Sequence, residues 1–205
     1  MRPEHLSYGL TVRDEPVRCG ELERWNLKPN GYFLYVSRLT PENEAALLLE
    51  AYRRVPDSLP LVIVGDDPYE RAYKRQLRAL ATERVVFTGQ RFADAYIELS
   101  QNARAFVMPA TIEATRLVLL DQLGMGKAII YHDCPATREV LGDAGVPFGP
   151  DEPVTSLADK LRWAGENPAA CAENGQKARA RAEEFRWENV MARYEEIFRR
   201  ILAEN

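Results

Sequence analysis

A series of short, uninterrupted apolar runs, each followed by a stretch with helical periodicity, extends through most of this sequence. The runs are rich in β-branched and aromatic residues, which is typical of strands. Because they are continuous rather than alternating, they predict strands covered on both faces, as in a parallel sheet with crossover helices. The predicted strands are residues 32–36, 61–65, 84–87, 105–108 and 128–131, with a weaker one at 145–148.

The pattern changes at both ends of this series. Residues 1–30 show no sustained period and are punctuated by proline and glycine, so they predict an irregular lead-in with a short helical turn at residues 21–25. After Pro153 the strands cease and successive helical segments follow. These helical segments are residues 154–164, 168–184 and 187–203.

We therefore expect an α/β fold, a doubly wound, Rossmann-like parallel sheet of about six strands with C-terminal helices. Residues 1–30 would be the lead-in or an interdomain linker, residues 31–150 the core, and residues 151–205 a helical segment packed on the same domain. In such sheets the ligand lies at the carboxyl ends of the strands, near the point where strand order reverses. The loops that follow the strands are thus the expected site.

Composition removes several classes of function. The chain has 205 residues, 46% of them hydrophobic, and can bury a core without disulfides or metals. A net charge of −4 argues against a nucleic-acid partner or an anionic membrane surface. The sequence shows no apolar membrane span and no signal-peptide pattern. Three cysteines without paired spacing favour a reducing compartment, and we expect a cytoplasmic location.

Several common catalytic motifs are missing. The sequence contains no GxGxxG after a predicted strand and no GxSxG, and Gly126-Lys127 is followed by alanine, so it is not a Walker loop. Dehydrogenase, P-loop kinase and serine hydrolase functions are therefore disfavoured. His132, Asp133 and Cys134 are adjacent, but neighbouring residues on a strand point to opposite faces. No further Cys or His completes a ligand shell, so no metal is expected.

Two sets of polar residues at strand ends favour the recognition of a diphosphate and of hydroxyl groups. Ser37 and Arg38 end the first strand where a helix begins, so a guanidinium and free backbone N–H groups can hold a diphosphate. The alternative is a surface arginine paired with Glu42. Glu113 lies in a strand-end loop, and Asp121 lies within an otherwise apolar helix, where a carboxylate needs a partner or ligand. A ribose or hexose would suit it; the alternative is the solvent-exposed side of the helix.

Further segments occur in order along the chain. They are YFLYVSR (32–38), LVIVGDDP (61–68), VVFTG (85–89), FVMP (106–109), Glu113 spaced eight positions before Asp121, Gly126-Lys127, and REVLGDAG (138–145). Together they resemble the C-terminal, donor-binding half of a retaining group 1 glycosyltransferase of the GT-B fold, over about residues 31–205. The segment PEN (41–43) is similar to that of a rhamnosyltransferase-like branch that builds surface polysaccharides.

The resemblance implies a hexosyltransferase domain that binds a nucleotide sugar, with no metal or other cofactor. In the intact enzyme a hexose would move from a nucleoside-diphosphate sugar to an acceptor hydroxyl. Arg38, at the diphosphate, and Glu113, at the donor sugar, are the implied catalytic residues. The implied donor-binding residues are Ser37, Arg38, Asn43, Gly89, Gln90, Arg91, Glu113, Ala114, Thr115, Arg116, Leu117 and Asp121.

Within that set, the backbone of residues 114–117 would cradle sugar and phosphate, Asp121 would hold the ribose, and residues 89–91 would line the base. The chain departs from the family pattern at three of these positions. Asn43 stands where a lysine is usual, Asp121 replaces a glutamate, and Arg116 stands where glycine is frequent. Arg116 would either replace the lost positive charge or block the pocket.

GT-B enzymes place the acceptor site on an N-terminal domain, for which residues 1–30 leave no room. We therefore expect an N-terminal half, in cis or as a separate subunit, with any peripheral membrane contact made through that half and no transfer by this chain alone. A homodimer is left open, since an apolar face meant for the other half favours self-association. The alternative function is a non-catalytic structural or regulatory partner of an active glycosyltransferase. A flavodoxin-like receiver is disfavoured, because it needs acidic residues where Ser37 and Arg38 stand.

Overall fold

The computed structural model describes residues 6–110 and 117–203. Within these ranges the strands form one parallel sheet in the order β3-β2-β1-β4-β5-β6. The strands are β1 (Phe33–Val36), β2 (Leu61–Val64), β3 (Val85–Gly89), β4 (Ala105–Met108), β5 (Ala128–His132) and β6 (Gly145–Phe148). Strand order reverses between β1 and β4, so the predicted doubly wound, Rossmann-like sheet is confirmed.

A helix follows each of the strands. The helices are α1 (Glu21–Arg24), α2 (Ala45–Tyr52), α3 (Arg71–Leu80), α4 (Ala93–Gln101), α5 (Leu117–Gly124), α6 (Pro135–Leu141), α7 (Pro153–Glu166), α8 (Pro168–Ala182) and α9 (Trp187–Ala203). Short 3₁₀ turns occur at Pro41–Asn43 and Glu183–Phe185. Helix α6 was not predicted, because seven residues are too few for a clear helical period.

Alternate residues of each strand enter two separate apolar layers. Phe33 and Ile63 pack with α2, α3 and α7 on one face of the sheet. Leu34 and Ile129 pack with α4, α5 and α8 on the other face. Both faces are therefore covered, which explains why the strands read as continuous apolar runs.

The lead-in, residues 6–30, packs on the same face as α4 and α5. Leu10 is buried in that apolar layer, and its backbone N–H donates to the carbonyl of Phe185 at 2.7 Å. The side chain of Gln101, at the end of α4, accepts from the N–H of Val17 and donates to the carbonyl of Glu15, both at 2.9 Å. Although the lead-in has little regular structure, its backbone is thus bonded to the core.

Lys127, in the Gly126-Lys127 motif, joins α4 to the start of β5. Its ammonium donates to the carbonyl of Gln101 at 2.6 Å and to that of Ala103 at 3.3 Å. Burial lowers the pKa of Lys127 to about 8. The two carbonyls lie at the C-terminal end of α4, where a helix has unpaired acceptors, so this lysine has a structural role.

Gly65 allows the carboxyl ends of β1 and β2 to approach closely. A Cβ at this position would overlap the carbonyl of Ser37, and the backbone has a φ of +139°. The Gly65 N–H donates to the carbonyl of Gly89 at 2.9 Å, while the Ser37 N–H donates to Val64 at 3.1 Å. The loops after β1, β2 and β3 are therefore bonded together at one edge of the sheet.

Candidate functional site

The loop after β1 is shaped from within by a buried asparagine. The Asn43 side chain donates to the carbonyl of Arg38 at 2.9 Å and to the hydroxyl of Thr40 at 2.8 Å, and the residue is only 5% exposed. The hydroxyl of Tyr35, from β1, donates to the Asn43 carbonyl at 3.0 Å. Asn43 therefore fixes the backbone that carries Arg38, with its amide directed into the loop.

Arg38 lies at the surface of this loop, close to the point where strand order reverses. Its side chain is 72% exposed, and its guanidinium is 3.9 Å from the carboxylate of Glu42. A long, solvent-exposed ion pair of this kind contributes little stability. The pair with Glu42 considered from the sequence is thus present but weak, and it leaves the guanidinium able to turn towards a bound anion.

Asp121 lies half-buried between α4 and α5, where it accepts a hydrogen bond from the hydroxyl of Tyr96 at 3.2 Å. The amide of Gln122 donates to the same Tyr96 oxygen at 3.2 Å and to the hydroxyl of Ser100 at 3.1 Å. Burial raises the pKa of Asp121, opposed by the Tyr96 hydrogen bond and the charge of Arg13. The partner that a carboxylate in an apolar helix requires is therefore Tyr96.

The loop after β3 contains Gly89, Gln90 and Arg91, and Arg91 turns towards the lead-in. Its Nε donates to the carboxylate of Glu21 at 2.9 Å, and its guanidinium lies 5.4 Å from the ring centroid of Trp25. A second nitrogen donates to the carbonyl of Gln90 at 2.8 Å. Only 19% of the Arg91 side chain is exposed, so it is engaged in the fold at this edge of the sheet.

Two exposed aromatic residues at this edge were not singled out from the sequence. Phe92 follows β3 and is 73% exposed, and Tyr69 follows β2 and is 88% exposed. Leu117, the first residue of α5, is also exposed. Aromatic residues immediately after strand-end motifs were the available signal, and flat apolar side chains at such an edge suit the face of a nucleobase or a sugar.

Other predicted site residues are placed as follows. Glu113, Ala114, Thr115 and Arg116 lie outside the described residues. Ser37 is half-buried and bonded to β2 through its backbone.

The adjacent residues at the end of β5 have separate environments. Both carboxylate oxygens of Asp133 accept from the guanidinium of Arg138 at 2.6 Å. The thiol of Cys134 donates to the hydroxyl of Thr137. The His132 ring packs edge-on against Phe148, with centroids 5.3 Å apart. Over residues 6–110 and 117–203 there is no group of three or more His, Cys, Asp or Glu side chains placed to hold a metal ion. Over the same ranges, none of the helices combines the length and the apolar character needed to cross a membrane.

Comparison with known proteins identifies the family of this chain. Residues 30–167 match the sequence family described as "Glycosyl transferases group 1". The chain is 25% identical over 181 residues to the O-antigen chain mannosyltransferase B of Escherichia coli, covering 85% of this chain and 47% of the relative. It is 33% identical over 142 residues to a GDP-mannose-dependent phosphatidylinositol monomannoside mannosyltransferase of Mycolicibacterium smegmatis, covering 65% of this chain and 36% of that protein.

Solved structures show the same fold. Sucrose-phosphate synthase from Thermosynechococcus elongatus superimposes with a TM-score of 0.82 at 22% identity, covering 98% of this chain and 53% of that one. HepE of Anabaena, in complex with UDP and glucose, superimposes with a TM-score of 0.83 at 18% identity, covering 94% and 56%. The chain thus spans about half the length of these proteins. Since the family match extends over most of the sheet and its helices, the chain belongs to the group 1 family of glycosyl transferases.

Proposed function

We propose that this chain is the nucleotide-sugar-binding domain of an enzyme that transfers a hexose from a nucleoside-diphosphate sugar to an acceptor hydroxyl. The observation that carries the proposal is Arg38. It presents an exposed guanidinium where the strand order reverses, on a loop that Asn43 holds in place. Ligands of doubly wound sheets bind at this point, and a guanidinium there suits a diphosphate.

The proposed chemistry needs charge stabilisation on the leaving side. The bond between the sugar's anomeric carbon and the diphosphate oxygen breaks, a bond to the acceptor oxygen forms, and the acceptor hydroxyl gives its proton to the departing diphosphate oxygen or to water. The departing nucleoside diphosphate gains negative charge, which the guanidinium of Arg38 would stabilise. Glu113 would face the donor sugar. No metal takes part in this proposal.

Asp121 is proposed to bind the ribose hydroxyls. Its Oδ2 accepts from Tyr96, and that hydrogen bond orients the carboxylate between α4 and α5. Two neighbouring hydroxyls of a ribose can donate to one carboxylate. Ser37 and the backbone of residues 114–117 would complete the diphosphate and sugar contacts, and residues 89–91 would border the base.

The other half of the enzyme is proposed to cover the apolar side of α9. Trp187, Met191, Phe198 and Leu202 share one side of this helix and are 47%, 57%, 59% and 76% exposed. An uninterrupted exposed apolar stripe of this length marks an interaction surface. The chain spans about half the length of its relatives, so we infer that the remaining half, in cis or as a separate subunit, is the partner. Transfer would require both halves.

A cytoplasmic location is part of the proposal. It is supported by the three cysteines, all free thiols, of which Cys134 and Cys171 are buried. The rhamnosyltransferase-like branch remains a prediction, and the donor sugars tested below include rhamnose for that reason.

Titration calorimetry of the chain with UDP, GDP, dTDP and ADP, and with their mannose, glucose and rhamnose conjugates, tests the donor site. We expect one nucleotide to bind, and Arg38→Ala and Asp121→Ala each to weaken binding by at least about tenfold, as loss of a charged hydrogen bond would. Arg53→Ala, an exposed arginine at the opposite end of α2, is the matched control and keeps wild-type affinity.

Absence of nucleotide binding, even with the N-terminal half of the intact protein added, would contradict the proposal. That outcome would favour the non-catalytic partner considered from the sequence. Binding that survives Arg38→Ala would place the diphosphate elsewhere on the domain.

A further inference from the structure

We propose that residues 19–25, named here the clamp, position the loop after β3 and thereby set the preference of the site for one nucleobase. This inference rests on the proposed function, because it assigns a role in nucleotide binding to residues outside the sheet. Glu21 is the central positioning residue, and it acts through Arg91.

The clamp is first anchored to α4 by a buried carboxylate. Glu98 is 2% exposed and accepts the backbone N–H groups of Cys19 and Glu21, both at 2.9 Å. It also accepts the thiol of Cys19 at 3.1 Å, and this hydrogen bond raises the pKa of Cys19 to about 11. The thiol therefore serves as a hydrogen-bond donor rather than as a nucleophile.

The second carboxylate links the clamp to the loop. Glu21 is 5% exposed, and its Oε2 accepts from Trp25 Nε1 at 2.8 Å and from Arg91 Nε at 2.9 Å. Its Oε1 accepts from Arg24 at 3.1 Å. Three charge-assisted or indole hydrogen bonds on one buried carboxylate fix its orientation and that of its partners.

Arg91 transmits this position to the loop backbone. Its guanidinium lies against the Trp25 ring and donates to the carbonyl of Gln90 at 2.8 Å. The next residues are Phe92, 73% exposed, and Ala93, whose φ of +48° is uncommon for a residue with a side chain. A strained backbone of this kind persists only where surrounding contacts hold it. Through Arg91, the clamp holds the chain two residues before Ala93.

The energetics of the pair favour a positioning role over a purely stabilising one. Burying the Glu21–Arg91 ion pair costs desolvation that its attraction offsets only in part, so such pairs add little net stability. What a saturated buried pair provides is one defined geometry. Arg91 thereby becomes the anchor of the base-facing loop, with Gln90 and Phe92 left at the edge of the sheet.

The test is the ratio of affinities for the preferred nucleoside diphosphate and for the other three, measured by calorimetry on the full chain. We expect Glu21→Gln to lower this ratio about tenfold, since coupled neighbouring groups commonly interact by that much. A merely structural role would weaken all four nucleotides equally and leave the ratio unchanged. Glu173→Gln makes the same substitution at an exposed carboxylate that pairs with Lys177 on α8, and it is the matched control, with the wild-type ratio expected.

Arg91→Lys provides a second, milder variant if Glu21→Gln folds poorly. Lysine keeps the charge but cannot bond Glu21 and the Gln90 carbonyl while lying against Trp25, so the ratio should fall as well. A wild-type chain that prefers one base, together with Glu21→Gln and Arg91→Lys variants that keep that preference, would overturn the clamp alone. A wild-type chain that binds none of the nucleotides would overturn the proposed function, and the clamp with it.

Discussion

The two segments that flank the core, the lead-in and α9, attach to it in opposite ways. The lead-in has little regular structure, but its backbone and side chains bond to the buried carboxylate of Glu98 and to Gln101 at the end of α4. Helix α9 is fully regular, yet only Val190 and Ile197 are buried among its described residues. The amount of regular secondary structure therefore does not determine how firmly a segment is attached to this domain.

What differs between the two segments is whether their polar groups find hydrogen-bonding partners, and their apolar side chains are buried, within the domain. Glu21 in the lead-in and Glu98 in α4, to which the lead-in is bonded, both have their hydrogen-bonding partners inside the domain. On α9, Met191, Phe198 and Leu202 present apolar surface to solvent. We infer that the lead-in folds with the core, whereas α9 is completed by a partner.

We expect the largest loss of stability from a substitution of Glu98, which anchors the lead-in. Glu98→Ala leaves the N–H groups of Cys19 and Glu21 without their buried acceptor, and should lower the free energy of unfolding by about 3 kcal/mol. Urea denaturation followed by circular dichroism measures it. Glu195→Ala, which removes an exposed ion pair with Arg199 on α9, should be without measurable effect. Equal effects of the two substitutions would show that the lead-in is not part of the folding unit.

Within helix α9, a buried residue and an exposed residue that are neighbours in sequence can be compared directly. Ile197→Ala removes a residue that is 9% exposed and should cost about 2 kcal/mol, whereas its neighbour Phe198, 59% exposed, should tolerate alanine within about 0.5 kcal/mol. Thermal unfolding of both variants measures the difference.

Sedimentation analysis of Phe198→Ala completes that experiment. If the exposed stripe mediates association, with the other half or between two copies of this chain, this variant should bind its partner more weakly than wild type. A variant that associates as well as wild type would remove the stripe from the interface.

The decrease in the free energy of unfolding at acid pH should also distinguish the two segments, by a smaller amount. Burial raises the pKa of Glu21, but hydrogen bonds from Trp25, Arg91 and Arg24 outweigh it and leave the pKa below its ordinary value of 4.5. The pKa of Glu98 is lowered in the same way, with burial opposed by bonds from Cys19 and Glu21. Their stabilisation is thus fully present above about pH 4.5 and is lost as pH falls through the lower folded values.

Urea denaturation between pH 3 and pH 6 measures this loss, a range about the ordinary carboxyl pKa. Glu98→Gln should flatten the slope in that interval, while Phe198→Ala should retain the wild-type slope. A Glu98→Gln chain with an unaltered slope would mean that other carboxylates govern acid unfolding.

The sheet was predictable because the local sequence of each strand is an apolar run that itself predicts a strand. The run at residues 105–108 coincides with β4 (Ala105–Met108), and the run at 32–36 differs from β1 (Phe33–Val36) by one residue. A strand that is buried on both faces of a parallel sheet requires a continuous apolar run, and such a run can be recognised from the local sequence alone.

The attachment of the lead-in was not predictable in this way. The contacts of Glu98 with Cys19 and of Arg91 with Glu21 join residues 79 and 70 positions apart, and nothing local indicates such pairs. The sequence placed Arg38 at the end of the first strand, Asn43 at the start of the next helix, and Asp121 within an apolar helix. It did not reveal that Asn43 points into its loop, which depends on a backbone turn in which Glu44 has a φ of +56°. Roles of the site residues therefore remain predictions that ligand binding must test.

The backbone hydrogen bond between Leu10 and Phe185 has a topological consequence. It holds the lead-in directly beside the turn that precedes α9. Joining points that already touch closes a short loop, and short closures cost little conformational entropy. A circular permutation that joins these two points would therefore leave the strand order of the sheet unchanged.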